Sequence, residues 1–160
     1  MATLVKRSQW RAYINTGSDS TETLSLMGEG FTQIDESKNP VEYSRKYVHE
    51  DSERTDVVGY APSLAYAIDA HSGDPAIKKL IDIHESEAIG TDAQVDIVSV
   101  NMFEAGETDG TYKAFKRKYA VIPDSKSGDN ALTYSGNFKA CGEKVPGTFT
   151  PASKTFTADA

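Results

Sequence analysis

Residues 93–122 read AQVDIVSVNMFEAGETDGTYKAFKRKYAVI and place two apolar stretches on either side of a polar, glycine-containing turn. Val and Ile occupy both alternating faces of the first stretch, residues 93–103, which is typical of a strand buried on both sides. The second stretch, residues 112–122, carries most of its large apolar residues on one face. Because the polar residues 104–110 separate them, the two stretches predict a long β-hairpin with a loose tip.

The segment before this hairpin has the pattern of an amphipathic helix. Asp74 is a good N-cap, Pro75 suits the first helical position and Gly90 supplies a stop. Apolar residues recur between them at helical spacing, so a helix is predicted over about residues 75–88. The apolar stripe consists of Ile77, Leu80, Ile81, His84 and Ala88.

Extended segments with alternating polarity account for most of the remaining chain. The longest covers residues 56–70, where large apolar residues from Val58 to Ile68 share one face and small residues share the other. Pro62 inside this stretch indicates a bulge, an edge position or a break into two strands. Shorter strands are predicted at residues 10–15, 43–48, 132–140 and 146–160, with a turn at 123–130.

The order of these elements predicts a mainly β fold. It fits an antiparallel β-sandwich or barrel with one flanking α-helix and a long β-hairpin. Residues 1–160 contain no repeat or linker and are expected to form a single domain. Residues 28–40 form the least core-like long stretch before the helix, which indicates a long loop, and such loops are usually functional or mobile.

The charge of the chain is negative and unevenly distributed. The net charge is −7, which argues against a protein that binds nucleic acid or an anionic membrane. Residues 1–112 contain 20 acidic and 9 basic residues, a balance of −11, whereas residues 113–160 contain 4 acidic and 8 basic residues, a balance of +4. Either solvated faces differ by chance, or surfaces of opposite charge meet between neighbouring copies.

Neither a membrane span nor a secretion signal is apparent in the sequence. No apolar run approaches the ~20 residues that cross a bilayer, and the beginning of the chain lacks the apolar stretch of a signal peptide. Synthesis and folding in a cytoplasm are therefore expected.

Candidate catalytic and metal-binding residues form no recognisable constellation. His49, His71 and His84 are widely spaced, and His84 on the helix stripe is expected to be a hydrogen-bonded core residue. Cys141 is the single cysteine, so it forms no intrachain disulfide and is expected to be a small, semi-buried residue. We therefore predict no catalytic residue, no metal site and no cofactor.

A series of short stretches follows one another in a specific order. They are the Trp10 strand, GEGFT at 28–32, the strand at 43–48, VVGYAPSLAY at 57–66, the mid-chain helix, IGTD at 89–92, VDIVSVN at 95–101 and the long hairpin. Together they resemble the major tail tube proteins of long-tailed, siphovirus-type bacteriophages of Gram-positive bacteria. The resemblance extends from about residue 4 to residue 158 and rests on the order of elements.

This resemblance implies a non-enzymatic virion protein that is made and assembled in the host cytoplasm. Subunits of this family form hexameric rings, and the rings stack into the tail tube through which DNA is ejected. The implied partners are further copies of the chain and other tail proteins, such as the tape measure, tail terminator and distal tail proteins. DNA passes transiently without specific binding, which agrees with the excess of acidic residues.

The predicted contacts between subunits follow from the long strands and loops. Unpaired strand edges favour pairing with another chain, and a closed ring satisfies them. The 28–40 stretch and the hairpin tip at 104–110 are the segments expected to reach the adjacent subunit or ring. The residues predicted to make these contacts are Phe31, Gln33, Asp35, Glu36, Lys38, Glu107 and Asp109.

Three other functions remain open. The tube subunit of a contractile tail, a phage-like bacteriocin or a type VI-like secretion system has the same subunit fold. A small β-sandwich that binds a ligand or acts as an adhesin would be a monomer with an exposed aromatic platform. The core-like positions of the tyrosines argue against such a platform. An enzyme with a dispersed carboxylate site is the third alternative.

Overall fold

The computed structural model describes residues 2–18 and 20–159, which form eleven strands, one α-helix and two short 3₁₀ turns. The helix, α1, covers Pro75–Ser86, and the turns cover Arg7–Gln9 and Gly90–Ala93. The strands are β1 (Trp10–Asn15), β2 (Leu24–Leu26), β3 (Phe31–Ser37), β4 (Pro40–Arg45), β5 (Arg54–Tyr60), β6 (Ser63–Asp69), β7 (Gln94–Ala105), β8 (Tyr112–Ser127), β9 (Thr133–Ala140), β10 (Val145–Thr150) and β11 (Thr155–Ala158).

Nine of these strands form one antiparallel sheet that curls into a half-barrel. Its order is β2-β1-β7-β8-β9-β6-β3, and the β10–β11 hairpin joins it through β8. The curl brings β3, at one end of this order, close to the residues just before β1, and the Arg7 guanidinium donates to the Ile34 carbonyl at 2.8 Å. The predicted mainly β fold with one flanking helix and a long hairpin, β7–β8, is confirmed.

Strand β7 is buried on both faces, as its Val and Ile pattern predicts. Val95 and Ile97 belong to the larger core, which lies between the sheet and α1. Val98 and Val100 belong to a smaller core on the opposite face, which includes Phe149 of β10. Because complete burial of such a side chain contributes roughly 1.5–3 kcal/mol, this strand is a major source of stability.

Helix α1 begins where its capping residues predict. The Asp74 carboxylate accepts hydrogen bonds from the backbone amides of Ala76 at 2.9 Å and Ile77 at 3.3 Å. The helix ends at Ser86, two residues before the predicted end, since Glu87 takes a left-handed conformation with φ of 52°. The apolar face of the helix is buried against the sheet, so α1 covers one side of the larger core.

The C-terminal part of α1 contacts the sheet through polar side chains. The Tyr66 hydroxyl lies 2.5 Å from Nε2 of His84, which confirms the predicted hydrogen-bonded histidine. The neighbouring Glu85 accepts hydrogen bonds from Tyr134 and from Lys126, each at 2.8 Å. Burial lowers the pKa of His84; the negative charge of Glu85 opposes this effect and the positive charge of Lys126 adds to it.

The structure corrects two predictions for the first half of the chain and confirms a break at Pro62. Residues 28–40 do not form a long loop, because Phe31–Ser37 is strand β3 and pairs with β6. Only Ile34 of this edge strand is fully buried, which explains why its sequence resembled a loop. The 56–70 stretch breaks into two strands at Pro62, which is one of the three alternatives that this proline indicated. The expectation that Val58 to Ile68 share one face was wrong, because β5 pairs with β4 outside the main sheet.

Two predictions for the second half of the chain also differ from the structure. The turn expected at 123–130 is shorter, since β8 continues through Pro123 to Ser127. A register shift between Pro123 and Ser125 accommodates the proline within the pairing with β9. Cys141 is exposed and not semi-buried, because it follows the end of β9.

Replacement of Asp74 by Ala is expected to lower the free energy of unfolding by about 1 kcal/mol, since two helix amides lose their acceptor. Urea denaturation measures the change. Asp82→Ala is the matched control, because exposed Asp82 pairs with Lys78 at 3.1 Å within the helix and its loss costs under about 0.5 kcal/mol. Equal losses for the two variants would contradict the capping role.

Stability is also expected to fall on acidification below the ordinary histidine pKa of 6.5. Because the pKa of His84 is lowered in the folded state, the unfolded chain binds this proton first. The loss therefore begins near pH 6.5 and continues as the pH falls to the folded-state pKa. Urea denaturation at several pH values measures this loss, and His84→Gln should make the free energy of unfolding less dependent on pH in this range. His49→Gln is the control, because His49 is exposed and its replacement should leave this pH dependence unchanged. Identical pH profiles for the two variants would show that His84 does not cause the loss.

Candidate assembly surface

Strands β4 and β5 form a two-stranded hairpin outside the main sheet, and residues 40–60 are termed the arm. At its base the backbone amide of Ala61 donates to the Asn39 carbonyl at 3.2 Å. The Asn39 side-chain amide donates in return to the Ala61 carbonyl at 3.0 Å and to the Ser63 hydroxyl at 3.2 Å. Asn39 has φ of 46°, a left-handed conformation that asparagine adopts more readily than most residues. One residue therefore makes the turn out of β3 and connects the arm to β6.

The arm presents its apolar side chains to solvent. Within residues 41–60, all but Arg45, Glu50 and Gly59 are exposed. Half of the large apolar side chains that are exposed in the described part of the chain lie here, and they are Val41, Tyr43, Tyr47, Val48, Val57, Val58 and Tyr60. An isolated two-stranded hairpin is marginally stable, and exposed apolar side chains concentrated on one element often mark an interaction site. The arm therefore has the properties of a surface that is covered by a partner.

Polar interactions give the arm a defined shape before any partner binds. The Arg45 guanidinium lies over the rings of Tyr43 and Tyr47, 5.0 and 5.5 Å from their centroids. Its Nε donates to the Tyr47 hydroxyl at 3.0 Å, and the group also forms a salt bridge with Asp56 on the opposite strand. Each exposed cation–π contact contributes about 0.5–1 kcal/mol. A surface that is ordered in advance loses less conformational entropy on docking.

The residues predicted to contact other subunits fall into two separate groups. Phe31, Gln33, Asp35, Glu36 and Lys38 all lie on or next to the edge strand β3, immediately before the arm. Within this group Gln33 donates to Asp35 at 2.9 Å, and Glu36 forms a salt bridge with Lys38. Glu107 and Asp109 are exposed at the tip of the β7–β8 hairpin, on a different element. Their role in contacts between subunits stays a prediction.

The arm was not predicted as a separate surface from the sequence. Val58 and Tyr60 were expected on the same core face as Leu64, yet the first two are 63% and 62% exposed while Leu64 is 1% exposed. The tyrosines were also expected at core-like positions, whereas Tyr43, Tyr47 and Tyr60 are exposed. Pro62 was the available signal, because a break there allows the two halves of the stretch to join different sheets.

The three histidines lie apart in the structure, with His84 against the sheet, His49 on the arm and His71 before α1. In residues 2–18 and 20–159, no group of three or more His, Cys, Asp or Glu side chains is placed to hold a metal ion. Among the same residues, no helix has the length and apolar character needed to cross a membrane.

Comparison with solved structures supports the fold. The chain is similar to a chain in the cryo-EM structure of the anti-feeding prophage (AFP) baseplate, 6-fold symmetrised, with a TM-score of 0.51. The match covers 91% of this chain and 97% of that chain at 8% sequence identity. No protein-family model and no curated protein sequence matches the chain. The similarity at this identity is one of fold, and it extends over nearly the whole of both chains.

Proposed function

We propose that this protein is a structural subunit of a phage-type tail, which assembles with copies of itself through the arm. The subunits form hexameric rings, and the rings stack into a tube that conducts DNA. The observation that carries this proposal is the arm, an ordered hairpin with an exposed apolar surface. Copies of the chain are the partners that cover it.

The geometry of the arm suits a head-to-tail contact between copies. Its strand β5 has 7 residues and therefore spans roughly 23 Å, far enough to reach across a subunit boundary. Each arm strand has one edge without a partner strand in the structure. The arm of one copy contacts a different surface of the next copy, so the same contact can repeat from copy to copy. Such a series closes into a ring when the rotation between neighbouring copies divides a full turn evenly.

The comparison with the AFP baseplate supports a role in a tail particle. The similar chain comes from an assembly with 6-fold symmetry, and the resemblance covers almost the full length of both chains. The order of sequence elements supports the tube role in particular, because it resembles the major tail tube proteins of long-tailed phages. Other tail proteins, such as the tape measure, tail terminator and distal tail proteins, complete the set of proposed partners.

A second candidate function is that of a subunit in a contractile tail or a related phage-like particle. The similarity to a chain of the anti-feeding prophage baseplate favours it. Electron microscopy of particles from the native source separates the two functions, because it shows whether the tube belongs to a contractile tail.

The assembly role is tested by removing apolar side chains from the arm. Val57→Ser and Val58→Ser together are expected to weaken self-association by at least about tenfold, because these side chains are 53% and 63% exposed and free to contact a partner. Sedimentation velocity measures the association, and negative-stain electron microscopy of the wild type should show hollow rings or tubes of uniform width.

The matched control removes exposed apolar side chains outside the arm. Ile122 and Leu132 are 42% and 49% exposed, and Ile122→Ser with Leu132→Ser should leave assembly unchanged. Arm variants that assemble as well as the wild type would contradict the proposal.

A further inference from the structure

A polar pit of about 180 Å³ opens inside the curled sheet at the base of the arm. Its wall includes Glu36 and Lys38 at the end of β3, Ser99 of β7, Arg117 of β8 and Lys144 between β9 and β10. The curl of the sheet brings these groups together from distant parts of the chain. The pit is large enough for a small charged group, since a water molecule occupies about 30 Å³.

The pit carries an excess of positive charge. Glu36 forms a salt bridge with Lys38, whereas Arg117 and Lys144 form none with any described residue. The Lys144 ammonium lies over the ring of Phe115, 3.8 Å from its centroid. Burial lowers the pKa of Lys144, the like charge of Lys38 lowers it further, and the negative charge of Glu36 in the same pit opposes both effects. A counter-ion would relieve both effects.

One hydrogen-bond donor of the Arg117 side chain, in the wall of the pit, also lacks an acceptor. The Nε of Arg117 is buried and has no hydrogen-bond partner among the residues that the structure describes. A buried N–H without an acceptor destabilises the folded chain. Guanidinium and ammonium groups bind oxyanions through short, charge-assisted hydrogen bonds, so the donors of this pit match an oxyanion.

We propose that the polar pit binds an oxyanion, a carboxylate or a phosphate, between Arg117 and Lys144. The group has two sources, an acidic side chain of a second copy or a free phosphate ion. The arm supplies the first source, because Asp51 and Glu53 are exposed near its tip and form no salt bridge in the described ranges. In a chain of net charge −7, a cationic pit is complementary to the net charge of another copy.

The pit is tested with inorganic phosphate as the probe. Isothermal titration of the full chain is expected to show phosphate binding that Lys144→Gln and Arg117→Gln each weaken at least about tenfold. Lys139→Gln is the control, because Lys139 is exposed on β9 outside the pit. Lys144 lies between strands, so Lys144→Gln keeps the test valid if Arg117→Gln fails to fold.

Sedimentation velocity of the same variants distinguishes the two sources. If the ligand is free phosphate, the variants lose phosphate binding and self-associate like the wild type. If it is a carboxylate of a second copy, they associate at least about tenfold more weakly, and phosphate weakens wild-type association more than chloride at equal ionic strength. Either result supports the pit. The oxyanion site is ruled out if Lys144→Gln and Arg117→Gln both match Lys139→Gln in phosphate binding and in self-association. This outcome does not depend on whether the protein forms rings.

Discussion

The antiparallel pairing of β7 with β8 organises the rest of the molecule. With 16 residues, β8 is long enough for one of its edges to pair with β10 through the first half and with β9 through the second. The first pairing places Phe149 over the smaller core, and the second continues through β9 and β6 to β3 around the larger core. Because β7 contributes to both cores, loss of this pairing would open both faces of the sheet.

The same sheet also determines where the arm and the polar pit lie. Its order ends at β3, an edge strand, and the chain leaves this edge at Asn39 to form the arm before it returns at Pro62 as β6. The curl that brings β3 towards β1 also brings Glu36 and Lys38 over Arg117. An apolar surface and a cationic pit thus lie next to each other at one edge, which is where a neighbouring copy can contact both.

Structural features that depend on residues close together in the sequence were predictable from it. The cap at Asp74, the burial of β7 on both faces and the β7–β8 hairpin each follow from a short stretch of chain. Strand β3 was mistaken for a loop because an edge strand buries few side chains. The arm was assigned to the core because alternating apolar residues in β5 do not reveal whether a sheet lies beneath them. The pit could not be predicted, since Glu36, Arg117 and Lys144 meet only through the curl of the sheet.

A second copy of the chain is expected to cover the arm. Hydrogen exchange of the backbone amides of β4 and β5, compared between dilute and concentrated protein, measures this coverage. Coverage predicts that these amides exchange at least about tenfold more slowly when the protein assembles, while the amides of β7, already within the sheet, change little. If the arm amides of the assembled protein exchange as fast as those of the dilute chain, no second copy covers the arm.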